Sequence, residues 1–204
     1  MSNIYGKLPF RVAVGALALT ALVFGILSLG RRDRSRPDSF AKPSESDSCR
    51  ALFAPSEDLE EDDLRAIASA SSSLDVAMFA FTDRRIARAI EQAATRGVHV
   101  RIYRDPRQYG DERERAIRNN TQPLMDELAS YKGIELRVKR GSESMHLKAY
   151  CVDGRLLRTG SANWSENGEM LQDNDVYLIT IKTAVDDFER DFGVIWGRSD
   201  NTIR

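Results

Sequence analysis

Between positions 146 and 163 the chain reads HLKAYCVD, six further residues, then GSAN. His146 and Lys148 lie two apart on a stretch that reads as a strand, and strand side chains two apart share a face. Leu147, Ala149, Cys151 and Val152 are apolar, as for a strand with one side against a core. An imidazole and an ammonium are thus presented together. That pair suits a nucleophile or acid–base group beside a phosphate-binding cation. Asp153-Gly154 makes a turn, and residues 155–159 return as a second strand that delivers Gly160, Ser161 and Asn163 nearby. The pattern fits a site for a phosphate ester.

The rest of the globular part alternates strands and helices. Residues 50–54 read as a short strand, and a helix follows to about Ser71 with Ser56 as its N-cap and acids crowding its first turn. Leu59, Leu64, Ile67 and Ala68 are its inward positions. Residues 74–81 (LDVAMFAF) read as a buried strand, with Phe79 and Phe81 as core packing. A helix over about 83–95 carries the stripe Ile86, Ala89, Ile90 and Ala93, and Gly97 ends it. Residues 98–104 alternate as a strand, 105–120 read as a long polar loop, 122–131 as a helix, and 134–139 and 176–181 as strands. A closing helix over about 184–196 presents Val185, Phe188, Phe192 and Ile195. This order predicts an α/β fold with a mixed β-sheet flanked by helices.

The signature His146-x-Lys148-x4-Asp153-x6-Gly160-Ser161-x-Asn163 resembles the HKD motif of the phospholipase D superfamily, with six fixed positions filled over eighteen residues. It is closest to the small members with a single motif, the bacterial endonucleases and the mitochondrial cardiolipin hydrolase/nuclease type. The resemblance runs from about residue 50 to the end. It implies a phospholipase D/nuclease-like α/β sandwich and a homodimer in which two facing motifs complete one active site, since no second His-x-Lys occurs. It also implies a catalytic set of His146, Lys148, Asp153 and Asn163, with His146 forming a phosphohistidine intermediate. Lys148, Ser161 and Asn163 would hold the substrate phosphate. Asp153 sits at a turn, where a structural role outweighs a chemical one. The family orients its histidine with a downstream acid followed by Asn. The match is Asp173-Asn174, which makes Asp173 the orienting candidate. No cofactor is implied, because lysines and imidazoles supply the positive charge.

Two cysteines, Cys49 and Cys151, make no disulfide framework, and Cys151 reads as a small buried residue. His99 reads as a strand residue with a partner or solvent. With only these two histidines and no Cys/His clustering, the spacing offers no zinc ligand set.

Residues 12–30 form nineteen uncharged positions, long enough to cross a bilayer as a helix. Lys7 and Arg11 precede them, and Arg31, Arg32, Arg34 and Arg36 follow. Two readings compete: a cleaved signal peptide, or an uncleaved single-pass anchor, which the length fits better. The arginines after the span place the catalytic domain in the cytosol, and cleavage would place it in the periplasm or outside. The expected organisation is therefore a flank over 1–11, the apolar segment over 12–30, a flexible Ser/Pro-rich linker over 31–48 and a catalytic domain over 49–204.

The chain has a net charge of −1, and residues 49–204 carry 23 basic against 27 acidic side chains. That total is not the balance of a dedicated nucleic-acid binder. Distribution matters more. Residues 83–118 hold ten arginines against six acids, and 132–158 hold seven basic against three acidic. A basic surface near the motif would suit a polyanion. The leading expectation is an endonuclease on DNA or RNA. The alternative is hydrolysis of membrane phospholipids such as phosphatidylcholine or cardiolipin, which an anchor would favour. The intact motif argues against a silent scaffold.

Overall fold

An eight-stranded mixed sheet organises the domain, in the order β1-β7-β6-β5-β2-β3-β4-β8. A computed structural model describes residues 47–204, so the apolar segment 12–30 and nearly all of the expected linker lie outside the described residues. Among the described residues no helix is long and apolar enough to cross a membrane. The strands are β1 (Cys49–Ala54), β2 (Ser73–Met78), β3 (His99–Arg104), β4 (Ile134–Val138), β5 (Lys148–Val152), β6 (Leu156–Gly160), β7 (Asn174–Ile179) and β8 (Thr202–Ile203). The helices are α1 (Leu59–Ala68), α2 (Arg84–Thr95), α3 (Pro106–Arg118), α4 (Leu124–Ala129) and α5 (Lys182–Trp196), and a π-helical turn covers Asn167–Leu171.

β2, β3 and β4 run parallel and are joined by helical crossovers, whereas β1, β7, β6 and β5 pair antiparallel. Helices cover both faces. Ile67, Ile86 and Ile90 pack from one side on Val76, Met78, Val100, Ile102, Tyr150 and Val152. On the other side α5 sets Val185, Phe192, Ile195 and Trp196 against Ala77, Tyr103, Ala149, Cys151 and Leu157. β5 is therefore buried along its whole length rather than on one face, as befits a strand with helices above and below. Leu147, which precedes it, is exposed.

α2 follows the expectation closely. Asp83 caps it, accepting from the amides of Arg85 (2.6 Å) and Ile86 (2.9 Å). Other elements differ. α1 starts at Leu59, because Asp58 rather than Ser56 accepts the first free amide, from Glu61. Ser56 turns back to donate to the Phe53 carbonyl. Ala68 is exposed, and Glu60, Asp62 and Asp63 are buried instead. The expected polar loop over 105–120 is the thirteen-residue helix α3. Asp105 caps it and Pro106 opens it, but Tyr109 is its one buried residue. Without an apolar stripe, hydrophobic periodicity gives no signal. The short edge strand β8 has too few residues to announce itself.

Candidate active site

The C-terminal ends of β2, β3 and β4 lie beside the start of β5, the end of β6 and the start of β7, so one edge of the sheet collects the signature residues. In open α/β sheets this edge is the usual place for a ligand. Lys148 opens β5, and His146 stands just before the strand rather than inside it. The pair still meets. Lys148 Nζ lies 2.9 Å from the His146 carbonyl oxygen and 3.0 and 3.1 Å from the ring Nδ1 and Nε2. Lys148 is buried, and that burial pushes its ammonium down from its ordinary value. An imidazole and a desolvated amine are thus adjacent. Phe79 makes the wall behind them, its ring 4.5 Å from the His146 ring and 4.7 Å from Lys148 Nζ. It is half-buried at the site rather than core packing, whereas Phe81 is wholly buried.

The backbone around His146 is pinned at two points. The Phe79 amide donates to the Leu147 carbonyl at 2.9 Å, and the Met145 amide donates to Asp105 Oδ2 at 2.8 Å. Asp105 therefore caps α3 and holds the segment before His146 with the same carboxylate. Asn163 accepts from the Ala80 amide through Oδ1 at 3.2 Å, which leaves its NH2 as the end able to donate to a phosphate oxygen. Ser161 is tied to Asp175. Its amide donates to Asp175 Oδ1 (2.9 Å), and its hydroxyl accepts from the Asp175 amide (2.9 Å). The Ser161 hydroxyl holds the Asp175 carboxyl below its usual range. Gly160 has φ +151°, and a Cβ there would run into the Asp175 carbonyl, so this turn admits only glycine.

Residues 64–196 match the family described as "Cardiolipin synthase, PLD-like domain". The chain belongs to this phospholipase D-like family. It is 31% identical over 215 residues to the mitochondrial cardiolipin hydrolase of Homo sapiens, covering 91% of this chain and 81% of that protein. The corresponding protein of Canis lupus familiaris is 30% identical. Two solved structures share the fold. NucT from Helicobacter pylori has a TM-score of 0.63 at 24% identity, covering 74% of this chain and 96% of its own. Nuc from Salmonella typhimurium, a phospholipase D family member, has 0.64 at 23%, covering 76% and 98%.

The phospholipase D-like domain places one signature acid, Asp153, away from the imidazole. Asp153 follows the far end of β5, about 15 Å along the strand from Lys148 at the usual rise per residue. Its carboxylate accepts from the Ser71, Ser72 and Ser73 amides and the Ser71 and Ser72 hydroxyls at 2.8–3.2 Å. Burial pushes this carboxyl up, but those bonds outweigh it and hold it well below the carboxylate range. Asp153 thus ties the β5–β6 turn to the start of β2. Its folded-state value is depressed, so its contribution is present above the ordinary value of about 3.9 and fades as pH falls toward the folded value. Asp153→Ala is expected to cost about 2–3 kcal/mol at pH 7. In urea unfolding the gap to wild type should narrow at pH 3, and an equal gap at both pH values would contradict this account. Asp173 is exposed and has no hydrogen bond to His146, while Asn174 Nδ2 donates to the Gly168 carbonyl at 2.8 Å.

Behind the site lies a charged network that hydrophobic patterning does not reveal. Asp63 and Arg158 are fully buried and ion-paired at 3.0 Å, and Asp63 also accepts from Tyr150 Oη (2.9 Å) and Trp164 Nε1 (2.7 Å). Glu169, in the π-helical turn, is equally buried. Burial first, then the charges of Asp63 and Asp83, push its carboxyl up to about 10, so it is a neutral acid at pH 7. A second brace joins Arg104, wholly buried, to Glu112 at 2.6 Å; Arg104 donates to the Phe79 carbonyl and Glu112 accepts from the Phe81 amide. His99 lies at the opposite end of the sheet, exposed and 2.8 Å from Glu135.

Proposed function

We propose that the protein is a phosphodiesterase that cleaves nucleic acid through a phosphohistidine intermediate, as a homodimer whose two motifs complete one site. One motif supplies one imidazole, and the reaction needs two. His146 attacks phosphorus, the bond to the leaving oxygen breaks, and the partner subunit's His146 donates a proton to that oxygen. Water then attacks phosphorus, the bond to the His146 nitrogen breaks, and the proton of the water passes to the partner subunit's His146. Lys148 and Asn163, with Ser161 assisting, hold the non-bridging oxygens and offset the developing charge, which is the part a metal ion plays elsewhere.

A groove of about 590 Å³ carries the choice of nucleic acid. Arg113, Lys139, Arg140 and Arg204 line it against Glu114 and Asp126. It opens at the end of β4, and Lys139 and Arg140 begin the connection that runs to His146. Arg113 is ion-paired with Asp126 and Lys139 donates to the Glu143 carbonyl, but cations on the same sheet edge as the signature suit a chain of phosphodiesters more than a single headgroup. The similarity to mitochondrial cardiolipin hydrolase favours the second reading, hydrolysis of a membrane phospholipid by a domain held near the bilayer through residues 12–30.

The test is to incubate the full chain with labelled single-stranded DNA, RNA, and phosphatidylcholine or cardiolipin vesicles, with and without chelator. Expected is cleavage of nucleic acid that persists in chelator. Binding should weaken with salt, at a log–log slope of about −2 to −3 for three or four phosphate contacts. Hydrolysis confined to the vesicles would establish the second reading, and activity abolished by chelator would overturn the mechanism.

A further inference from the structure

We infer that Arg158 is a positioning residue that sets the distance between the two halves of the phosphate site. The inference rests on the phosphodiesterase reading above. The β5–β6 ladder ends at the pair Tyr150–Arg158, two residues short of Lys148. Beyond that pair the strands part, β5 toward Lys148 and His146, β6 toward Gly160 and the Asn163 turn. The Arg158 guanidinium fills the gap. Its Nη1 donates to the Lys148 carbonyl and to the Ala162 carbonyl, each at 3.0 Å. One carbonyl belongs to the residue bearing the site ammonium, the other directly precedes Asn163.

The far side of the guanidinium is held by Asp63, through a hydrogen bond from Nε at 3.2 Å and an ion-pair contact of Nη2 at 3.0 Å that makes no hydrogen bond. Asp63 is fixed in turn by Tyr150 and Trp164, so the fork has one orientation. A buried ion pair is a costly way to fill space, since apolar side chains of similar volume often serve stability as well. Arginine offers what they lack: a rigid planar fork able to span two carbonyls and a carboxylate at once. Lysine keeps the charge without that span.

The experiment compares wild type, Arg158→Lys, and the neutral double variant Arg158→Met with Asp63→Asn, in which the amide oxygen still accepts from Trp164 or Tyr150. Each is measured for urea unfolding, for kcat and KM on nucleic acid, and for the response of the His146 ring-proton NMR signals to inorganic phosphate. The chain has only two histidines, so His99 serves as the internal control. The double variant should unfold near the wild-type urea midpoint. Its kcat should fall about 10- to 100-fold with KM changed less than about threefold, as for small misplacements of reacting groups. The His146 response should need about tenfold more phosphate, and Arg158→Lys should show the same split. A folded double variant, or a folded Arg158→Lys should the double variant not fold, with wild-type kcat and phosphate response would overturn the inference. Wild type that binds phosphate at His146 but cleaves no phosphodiester fails the proposed function, and the phosphate response then decides the role of Arg158. Wild type with neither property overturns both.

Discussion

Replacing His146 with Ala should remove phosphodiesterase turnover by about 10³–10⁴-fold or more while leaving the domain folded. Acid–base catalysis alone contributes about 10²–10⁴-fold, and in a shared site the substitution deletes nucleophile and acid together. The fold should not register the loss. His146 is exposed, precedes β5, and its ring stands against Phe79 and Lys148 among the described residues. Truncating such a side chain changes stability by about 0.5 kcal/mol or less. The backbone bonds that hold the segment, Met145 to Asp105 and Phe79 to Leu147, do not involve the ring. Turnover and the urea midpoint of the variant decide the matter. A rate within tenfold of wild type would remove His146 from the chemistry, and a large loss of stability would mean that inactivity reports unfolding instead.

Glu112→Ala should give a large stability loss, about 3–5 kcal/mol. Arg104 is wholly buried, and burial pulls its guanidinium down from its ordinary value while Glu112 pulls it up. Removing Glu112 leaves that charge uncompensated in a low-dielectric interior. It also strips the Phe81 amide of its acceptor, so the segment carrying Phe79, the wall of the His146–Lys148 pair, loses one of its ties. Adding Arg104→Met should recover most of the loss, because a neutral side chain of similar length needs no counter-ion. Urea unfolding at pH 7 tests both variants. A single variant within about 1 kcal/mol of wild type would mean that Arg104 finds water or another acceptor.

How much of this was legible depended on whether the signal was local. α2 announced itself through its stripe and the Gly97 after it, and it formed as expected. α3 did not, since its cap at Asp105 is a side-chain bond and its surface is polar nearly all round. The mixed sheet with helices could be anticipated from alternation, whereas the double-sided burial of β5 depends on where α5 docks. At the site, spacing announced His146, Lys148, Ser161 and Asn163. Phe79, Asp105, Asp175, Asp63 and Arg158 were silent, because each has a partner distant in the chain, from 14 residues for Ser161–Asp175 to 101 for Asp63–Trp164.

The sequence by itself determined the family and the residue types at the site, because the signature is a local pattern read along eighteen residues. It also shows a single motif within these 204 residues, on which the proposal of a second copy rests. Only the tertiary structure decided that Asp153 stands apart from the imidazole, anchored to three serines at the far end of β5. It likewise decided what holds the site open. The β5–β6 ladder stops at Tyr150–Arg158, and a guanidinium fixed by Asp63 replaces the missing backbone bonds. Residue identity sets which chemistry is available, but distances between distant segments are set by packing and buried hydrogen bonds.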